Sequence, residues 1–263
     1  MTPCRPSADV QTLLAIAREA ARAIMDIYAS DFAIRSKADL SPVTEADERA
    51  EAVILQRLAE AFPDVPVVAE EQAAAGRLPE VADDFFLVDP LDGTKEFLSR
   101  NGEFTVNIAR VQKGCPVMGV VYAPAVSRLF WGAAGEGAGM AETGHGNGAE
   151  PSGWTAVHVA APQASGLRVV ASRSHRDAET DAYLAGLKVK EIVAAGSSLK
   201  FCKVACGEAD LYPRFGRTME WDTAAGQAVL EAAGGKVVTI DGKPLRYGKR
   251  ERGFDNPGFI ASA

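Results

Sequence analysis

The sequence predicts a layered α/β fold whose N-terminal half has α+β character. Two amphipathic helical stretches precede a run of strands joined by hairpin-type connections. In the second half strands alternate with helices instead, the pattern of a layered α/β unit. Between the two regimes, residues 135–153 are crowded with glycine, mixed with Glu, Asn and Ser. We take that stretch as a flexible excursion and as the boundary between a subdomain of residues 1–150 and one of residues 151–263.

In residues 9–29, Leu13, Leu14, Ala17, Ala20, Ala21, Ile24 and Ile27 or Tyr28 recur at spacings of three and four, which predicts an amphipathic helix capped by Asp9. Residues 35–42 are polar and read as a loop or bent hairpin. Thr44 stands where a helix cap belongs, with Asp47 at the capping-box position three residues on. That helix should run to about residue 61, turn Val53, Ile54, Leu58 and Ala59 inward, and stop at Pro63. Residues 66–69 form a short strand ending on Glu70 and Glu71, and residues 73–79 a loop. Phe85-Phe86-Leu87-Val88 lacks polar alternation, as a strand covered on both faces does. It ends on Asp89, and Pro90, with no backbone N–H, should stop regular pairing. A short helix is expected at 94–98. Strands are expected at 104–111, 117–122 and 129–133, the first two joined by a Lys113-Gly114 turn. Further strands should lie at 167–171, 189–193, 209–212 and 236–240, and helices at 177–187, 198–206 and 221–233, the last closed by Gly234-Gly235.

The 263 residues are 47% hydrophobic and 24% charged, an ordinary globular composition, and the formal net charge of −7 argues against coating nucleic acid or a membrane surface. No apolar run approaches the roughly 18 residues of a membrane span, and the N-terminus lacks the apolar core of a signal peptide. The expected location is therefore the cytoplasm, without membrane insertion; peripheral inner-membrane association is not indicated. Cys4, Cys115, Cys202 and Cys206 fit neither a zinc pattern nor C-x-x-C. Cys202 and Cys206 share a helix face, either as buried free thiols or as a redox pair.

Asp89-Pro90-Leu91-Asp92-Gly93-Thr94 can bring two carboxylates and the Leu91 carbonyl to one small volume, because Gly93 lets the chain turn sharply. Packed anions repel unless a proton or a metal stands between them, and a hard dication such as magnesium suits oxygen ligands. Asp-Pro and Asp-Gly pairs also form plain turns, so this hexapeptide alone does not decide. An EF-hand is disfavoured: counted from Asp89, Thr94 occupies the position that needs glycine, and Arg100 the one that needs the closing carboxylate. Asp222 lies in the first turn of a helix, where the helix dipole alone would favour it. The following Ala224-Ala225-Gly226 would also let that helix approach a neighbour closely. Asp47 alone reads as a helix cap.

Taken together, Glu70-Glu71, Asp89 to Thr94, and Trp221-Asp222-Thr223-Ala224-Ala225-Gly226 resemble the three signatures of the inositol monophosphatase superfamily, in order and spacing, over nearly the whole chain. Lys95-Glu96-Phe97, residues 101–108, Ser172 to His175, Gly196 to Cys202, Leu211 to Gly216, Ser41-Pro42-Val43-Thr44 and Asn256-Pro257-Gly258-Phe259 resemble its CysQ-type branch, the 3'(2'),5'-bisphosphate nucleotidases. The resemblance implies a five-layered αβαβα sandwich. It also implies a magnesium-dependent phosphomonoesterase that converts adenosine 3',5'-bisphosphate to AMP and phosphate in sulfate assimilation, with phosphoadenosine phosphosulfate a further candidate substrate. By the same resemblance Glu70, Asp89 and the Leu91 carbonyl would hold one ion, Asp89, Asp92 and Asp222 a second, and a third would sit near Glu70. Manganese could substitute; lithium and calcium would inhibit. Thr94, paired with Asp47, would deprotonate the attacking water, while the Gly93 and Thr94 N–H groups bind the scissile phosphate beside Leu91, Asp92 and Asp222.

Substrate choice should come from the second half. Ser197 and Lys200 at a helix start and Arg214 after a strand suit a second phosphate; His175, following Arg173, suits the base or ribose. Each could instead be a solvated surface residue, and His145 and His158 carry no signal. The expected partner is a small-molecule nucleotide, not nucleic acid, bound by a monomer or homodimer. An inositol or sugar phosphatase with the same metals, and a non-catalytic metal- or nucleotide-binding regulator, are the competing readings.

Overall fold

The computed structural model of the chain describes residues 5–30, 34–36, 42–144, 151, 153–172 and 178–263. Helices α1 (Ala8–Tyr28) and α2 (Glu45–Ala61) flank a two-stranded antiparallel pair, β1 (Ile34–Ser36) and β2 (Pro42–Thr44). Seven strands follow in one sheet: β3 (Val67–Ala69), β4 (Asp84–Asp92), β5 (Thr105–Gln112), β6 (Cys115–Ala123), β7 (Arg128–Ala133), β8 (Gly137–Glu142) and β9 (Thr155–Ala156). They pair in chain order, parallel at β3–β4 and antiparallel beyond. Short helices α3 (Glu70–Ala74) and α4 (Thr94–Leu98) leave the C-terminal ends of β3 and β4. The remaining elements are β10 (Leu167–Ser172), α5 (Ala178–Ala185), β11 (Val189–Ala195), α6 (Leu199–Ala205), β12 (Leu211–Arg214), α7 (Glu220–Ala232), β13 (Lys236–Thr239) and β14 (Phe259–Ser262), whose strands form a second sheet in the order β11-β10-β12-β14-β13.

Side-chain alternation along the strands builds the layers. On β4, Phe86 and Val88 pack with Leu13, Ile24, Ile54 and Leu58 of α1 and α2. Phe85 and Leu87 point the other way, into a cluster with Phe201 of α6 and Ala225 and Val229 of α7. Both faces of β4 are therefore dry, as its unbroken apolar run predicts. The second sheet closes that same cluster with Val170, Tyr212 and Ala261. Its opposite face carries Val169 and Leu211, which pack with Leu184 of α5. The order is helix pair, sheet, helix pair, sheet, helix: the five-layered sandwich.

Several expectations need correction. Ser7, not Asp9, precedes α1, and Asp9 lies in its first turn. Ala59 is exposed, one step off the buried stripe of Ala50, Ile54 and Leu58. Glu70 and Glu71 open a helix rather than leading into a loop. Pro90 interrupts pairing without ending the strand: Asp89 faces Asn107, and the ladder resumes with Asp92 facing Thr105. Pro90 and Leu91 are thus a bulge, which re-aims the carboxylates on either side. The glycine-rich stretch contains β8, where a Cβ on Gly139 would fall 2.6 Å from Trp131 Nε1; small residues there make room for the indole. The strand expected at 209–212 lies at Leu211–Arg214, two residues later. β14 was not anticipated, because four residues after Asn256-Pro257-Gly258 are too few to show a period. Residues 37–41, within the expected loop, lie outside the described residues.

Helix α7 sits directly on the first sheet. A Cβ on Gly132 of β7 would fall 2.5 Å from Val229 Cα, and one on Gly119 of β6 would fall 2.7 Å from the Ala225 carbonyl oxygen. These contacts are to backbone, which cannot rotate away. Gly132→Ala should therefore cost about 3 kcal/mol or more, at the upper end of overpacking, read as a fall in melting temperature.

Candidate active site

The bulge ends at Gly93, whose φ of 92° is left-handed and whose Cβ position would lie 2.2 Å from Ser197 Oγ. Only glycine fits that turn. Ser197 Oγ stands 2.7 Å from the Asp92 carbonyl oxygen and 2.8 Å from that of Glu103, and its single proton can be donated to either. Its hydroxyl thus locks the Gly93 turn from the neighbouring segment. The Asp92 carboxylate accepts from Ser198 N at 2.7 Å, Asn107 Nδ2 at 3.3 Å and Thr105 Oγ1 at 3.4 Å. Ser198 Oγ donates to the Asp222 carbonyl at 2.8 Å and accepts from Asn107 Nδ2 at 3.0 Å. Ser198 and Asn107 therefore join the two acidic motifs, and neither was singled out from the sequence. Asn107 carried a signal: it is a fully buried amide inside the apolar run Val106-Asn107-Ile108.

Asp222 reaches this point because α7 packs closely; a Cβ on Gly226 would meet the Phe201 ring at 2.5 Å. Its Oδ2 accepts from Met219 N at 2.8 Å. Asp89 is 2% exposed, and its Oδ1 accepts from Leu91 N at 3.0 Å. Burial pushes the Asp89 carboxyl well above the usual range, and the charges of Glu70, Asp92 and Asp222 push it further. Asp222 is raised in the same way by burial, then by Asp92 and Glu70. Burial brings Asp92 up to about 6, with Lys200 pulling it back. Four acidic residues thus share one poorly hydrated region with too little positive charge to balance them.

That donor set is all oxygen and fits hard dications. Among the described residues no three Asp, Glu, His or Cys side chains form a finished metal cage. Magnesium does not require one: it is commonly held by one or two carboxylates, with water and substrate phosphate completing its shell.

Asp47 approaches from the first layer. It is 2% exposed, and its Oδ2 accepts from Thr44 N at 2.7 Å and Thr44 Oγ1 at 2.6 Å, the expected capping box of α2. Its other oxygen, Oδ1, accepts from Thr94 Oγ1 at 3.3 Å, and Thr94 Oγ1 lies 3.5 Å from the Leu91 carbonyl. Asp47 thus caps α2 with one oxygen and faces Thr94 with the other.

These groups open into a cleft of about 370 Å³. Glu70, Asp92, Thr94 and Asp222 line it together with Lys200, Arg214 and Arg217. Lys200 is 6% exposed; Nζ donates to the Ala195 carbonyl at 3.4 Å and sits 5.5 Å from the centre of the Tyr212 ring. Burial lowers its pKa to about 8, against the pull of Asp92. Arg214 Nη2 donates to the Arg217 carbonyl at 3.0 Å. His175 and Arg173 lie outside the described residues. Cys202 and Cys206 are free, and burial raises both thiols, Cys206 to about 11, which suits packing rather than redox chemistry.

A model of the inositol monophosphatase family matches residues 8–262. The chain is 47% identical over 249 residues to an Escherichia coli (strain K12) protein named 3'(2'),5'-bisphosphate nucleotidase CysQ, covering 94% of this chain and 96% of that one. The crystal structure of CysQ from Bacteroides thetaiotaomicron, described as a bacterial member of the inositol monophosphatase family, matches with a TM-score of 0.82 and 40% identity over 97% of both chains. An inositol monophosphatase from Anabaena (Nostoc) matches with a TM-score of 0.71 and 30% identity over 97% of this chain and 92% of that one.

Proposed function

The chain belongs to the inositol monophosphatase family, and from that premise we propose that it is a magnesium-dependent nucleotidase that converts adenosine 3',5'-bisphosphate to AMP and phosphate. One observation carries the choice of substrate. The cleft lined by the carboxylates of Glu70, Asp92 and Asp222 is also lined by the buried Lys200 and by Arg214. A single phosphate bound with metal ions needs only the carboxylates; a second phosphate on the substrate would add charge-assisted contacts to Lys200 and Arg214. The names of the relatives at 47% and 40% identity support the same choice.

Glu70, Asp89, Asp92, Asp222 and the Leu91 carbonyl would hold the ions, two with Asp89 shared and a third beside Glu70; manganese would substitute, and lithium and calcium inhibit. When bound, they supply charge neutralisation on the phosphate and on the departing oxygen. The chain supplies the rest. Gly93 and Thr94 N–H groups hold the scissile phosphate. Thr94 Oγ1 takes the proton of the attacking water as its own passes to Asp47 Oδ1, the partner it already faces. Ser197 acts through the Gly93 turn, and Lys200, Arg214 and His175 contact the nucleotide. Residues 1–150 would then be the metal-binding subdomain, and residues 151–263 would supply Asp222 and the specificity groups. Clearing a by-product of sulfate assimilation in the cytoplasm is the physiological role this reading carries.

Released phosphate should be measured on adenosine 3',5'-bisphosphate, phosphoadenosine phosphosulfate, AMP and inositol 1-phosphate, with magnesium and with EDTA. The bisphosphate should give the highest kcat/KM, and EDTA should abolish release. Faster turnover of inositol 1-phosphate would replace this reading with that of an inositol phosphatase.

A further inference from the structure

Asn256 opens a motif, Asn256-Pro257-Gly258-Phe259, to which the proposed chemistry gives no role. It is 4% exposed. Its Nδ2 donates to the Met219 carbonyl at 2.8 Å, Thr223 Oγ1 at 3.0 Å and Thr218 Oγ1 at 3.3 Å. Its backbone N–H donates to the Thr218 carbonyl at 2.9 Å, and its neighbour Asp255 forms a bridge with Met219. Met219 is the residue whose own N–H holds Asp222 Oδ2 at 2.8 Å. Asn256 therefore grips the carbonyl of the same residue whose N–H grips the Asp222 carboxylate. The Met219 carbonyl can only accept, which fixes the amide with its nitrogen toward α7. Asn256 Oδ1 is left buried with no hydrogen-bond partner among the described residues.

The same segment braces α7 a second time. Glu220, fully buried, accepts from Gly248 N at 2.7 Å and Lys249 N at 2.8 Å, and its own N–H donates to the Phe254 carbonyl at 2.9 Å. Chain from 248 to 256 thus encloses the start of α7. Thr218 and Thr223, both bonded to Asn256, line the cleft.

We propose that Asn256 is a positioning residue for Asp222: its amide fixes the turn at 218–219 and, through the Met219 N–H, the direction of the carboxylate. This rests on the reading above, in which Asp222 is a dication ligand. The test is manganese binding to the substrate-free full chain, followed by the electron paramagnetic resonance signal of free Mn²⁺. Asn256→Ala should bind about tenfold or more weakly, the scale seen when a ligand loses its supporting hydrogen bonds. Asn256→Ser, which keeps one donor, should fall between Ala and the parent. Arg168→Ala removes the ion pair with Asp210 at the far ends of β10 and β12; it should lower the melting temperature without changing manganese affinity. Parent-like binding by a folded Asn256→Ala, or by Asn256→Ser should Ala not fold, overturns the inference. Parent-like binding by Asp222→Asn overturns the ligand assignment instead, so the two failures are distinguishable.

Discussion

Asp89→Asn is expected to lower phosphate release by on the order of 10²–10³-fold and, in protein stripped of metal, to raise the melting temperature at neutral pH. Both effects have one cause. Burial, and after it the charges of Glu70, Asp92 and Asp222, hold the Asp89 carboxyl well above the usual range. A carboxyl whose folded pKa is raised binds its proton more tightly in the folded state than in the unfolded chain. Its ionisation therefore destabilises the fold progressively as pH rises above the unfolded value, until the folded value is passed. Without metal, the parent should lose stability as pH rises through that window, and the Asn variant should lose less. The amide oxygen still accepts the Leu91 N–H bond that shapes the bulge, so the fold has no local reason to fail. Added magnesium should raise the melting temperature of the parent by mass action and that of the variant far less. The measurements are phosphate release at saturating magnesium and melting curves at several pH values with and without EDTA. Parent-like release would remove Asp89 from the chemistry. A lower melting point without metal would show that it carries no buried repulsion.

How legible this site was depends on how far apart its parts lie. Asp89, Leu91, Asp92, Gly93 and Thr94 are contiguous, so the chemistry of that hexapeptide could be reasoned from its own residues. The period of α1 and the capping box of α2 were readable because they are local. Asn107 and Ser198 are 91 residues apart, and their shared hydrogen bond exists only because α6 lies beneath the first sheet. Periodicity cannot report such a contact. Asp222 reads locally as a helix-dipole aspartate, and only the close seat of α7 brings it beside Asp92 and Glu70. Ser197, expected to face a second phosphate, lines the cleft, and its hydroxyl sits between two carbonyls at the Gly93 turn, a contact that no local pattern reports. Pro90 misled for a related reason: a missing N–H interrupts a ladder locally, but the partner strand carries on past the gap.

Asp47→Asn should lower kcat by about 10²–10⁴-fold, the usual contribution of a general base, while KM changes little. This substitution separates the two jobs of the residue. The cap needs an acceptor for Thr44 N and Thr44 Oγ1, which the Asn side-chain oxygen can supply. That orientation turns the NH₂ group toward Thr94 Oγ1, where the carboxylate now accepts. The Thr94 hydroxyl would then receive a hydrogen bond instead of giving one, and its proton would have no acceptor when a water attacks. The helix should persist and the rate should fall. Thr44→Ala does the reverse: it removes the cap at a cost of about 1 kcal/mol but leaves Asp47 Oδ1 facing Thr94, so the melting temperature should drop more than kcat. Thr94→Ser keeps the hydroxyl and should stay within about tenfold of the parent, whereas Thr94→Ala should match Asp47→Asn. If Asp47→Asn lost stability and kept its kcat, the residue would be only a helix cap, and the proton would have to leave the water by another route.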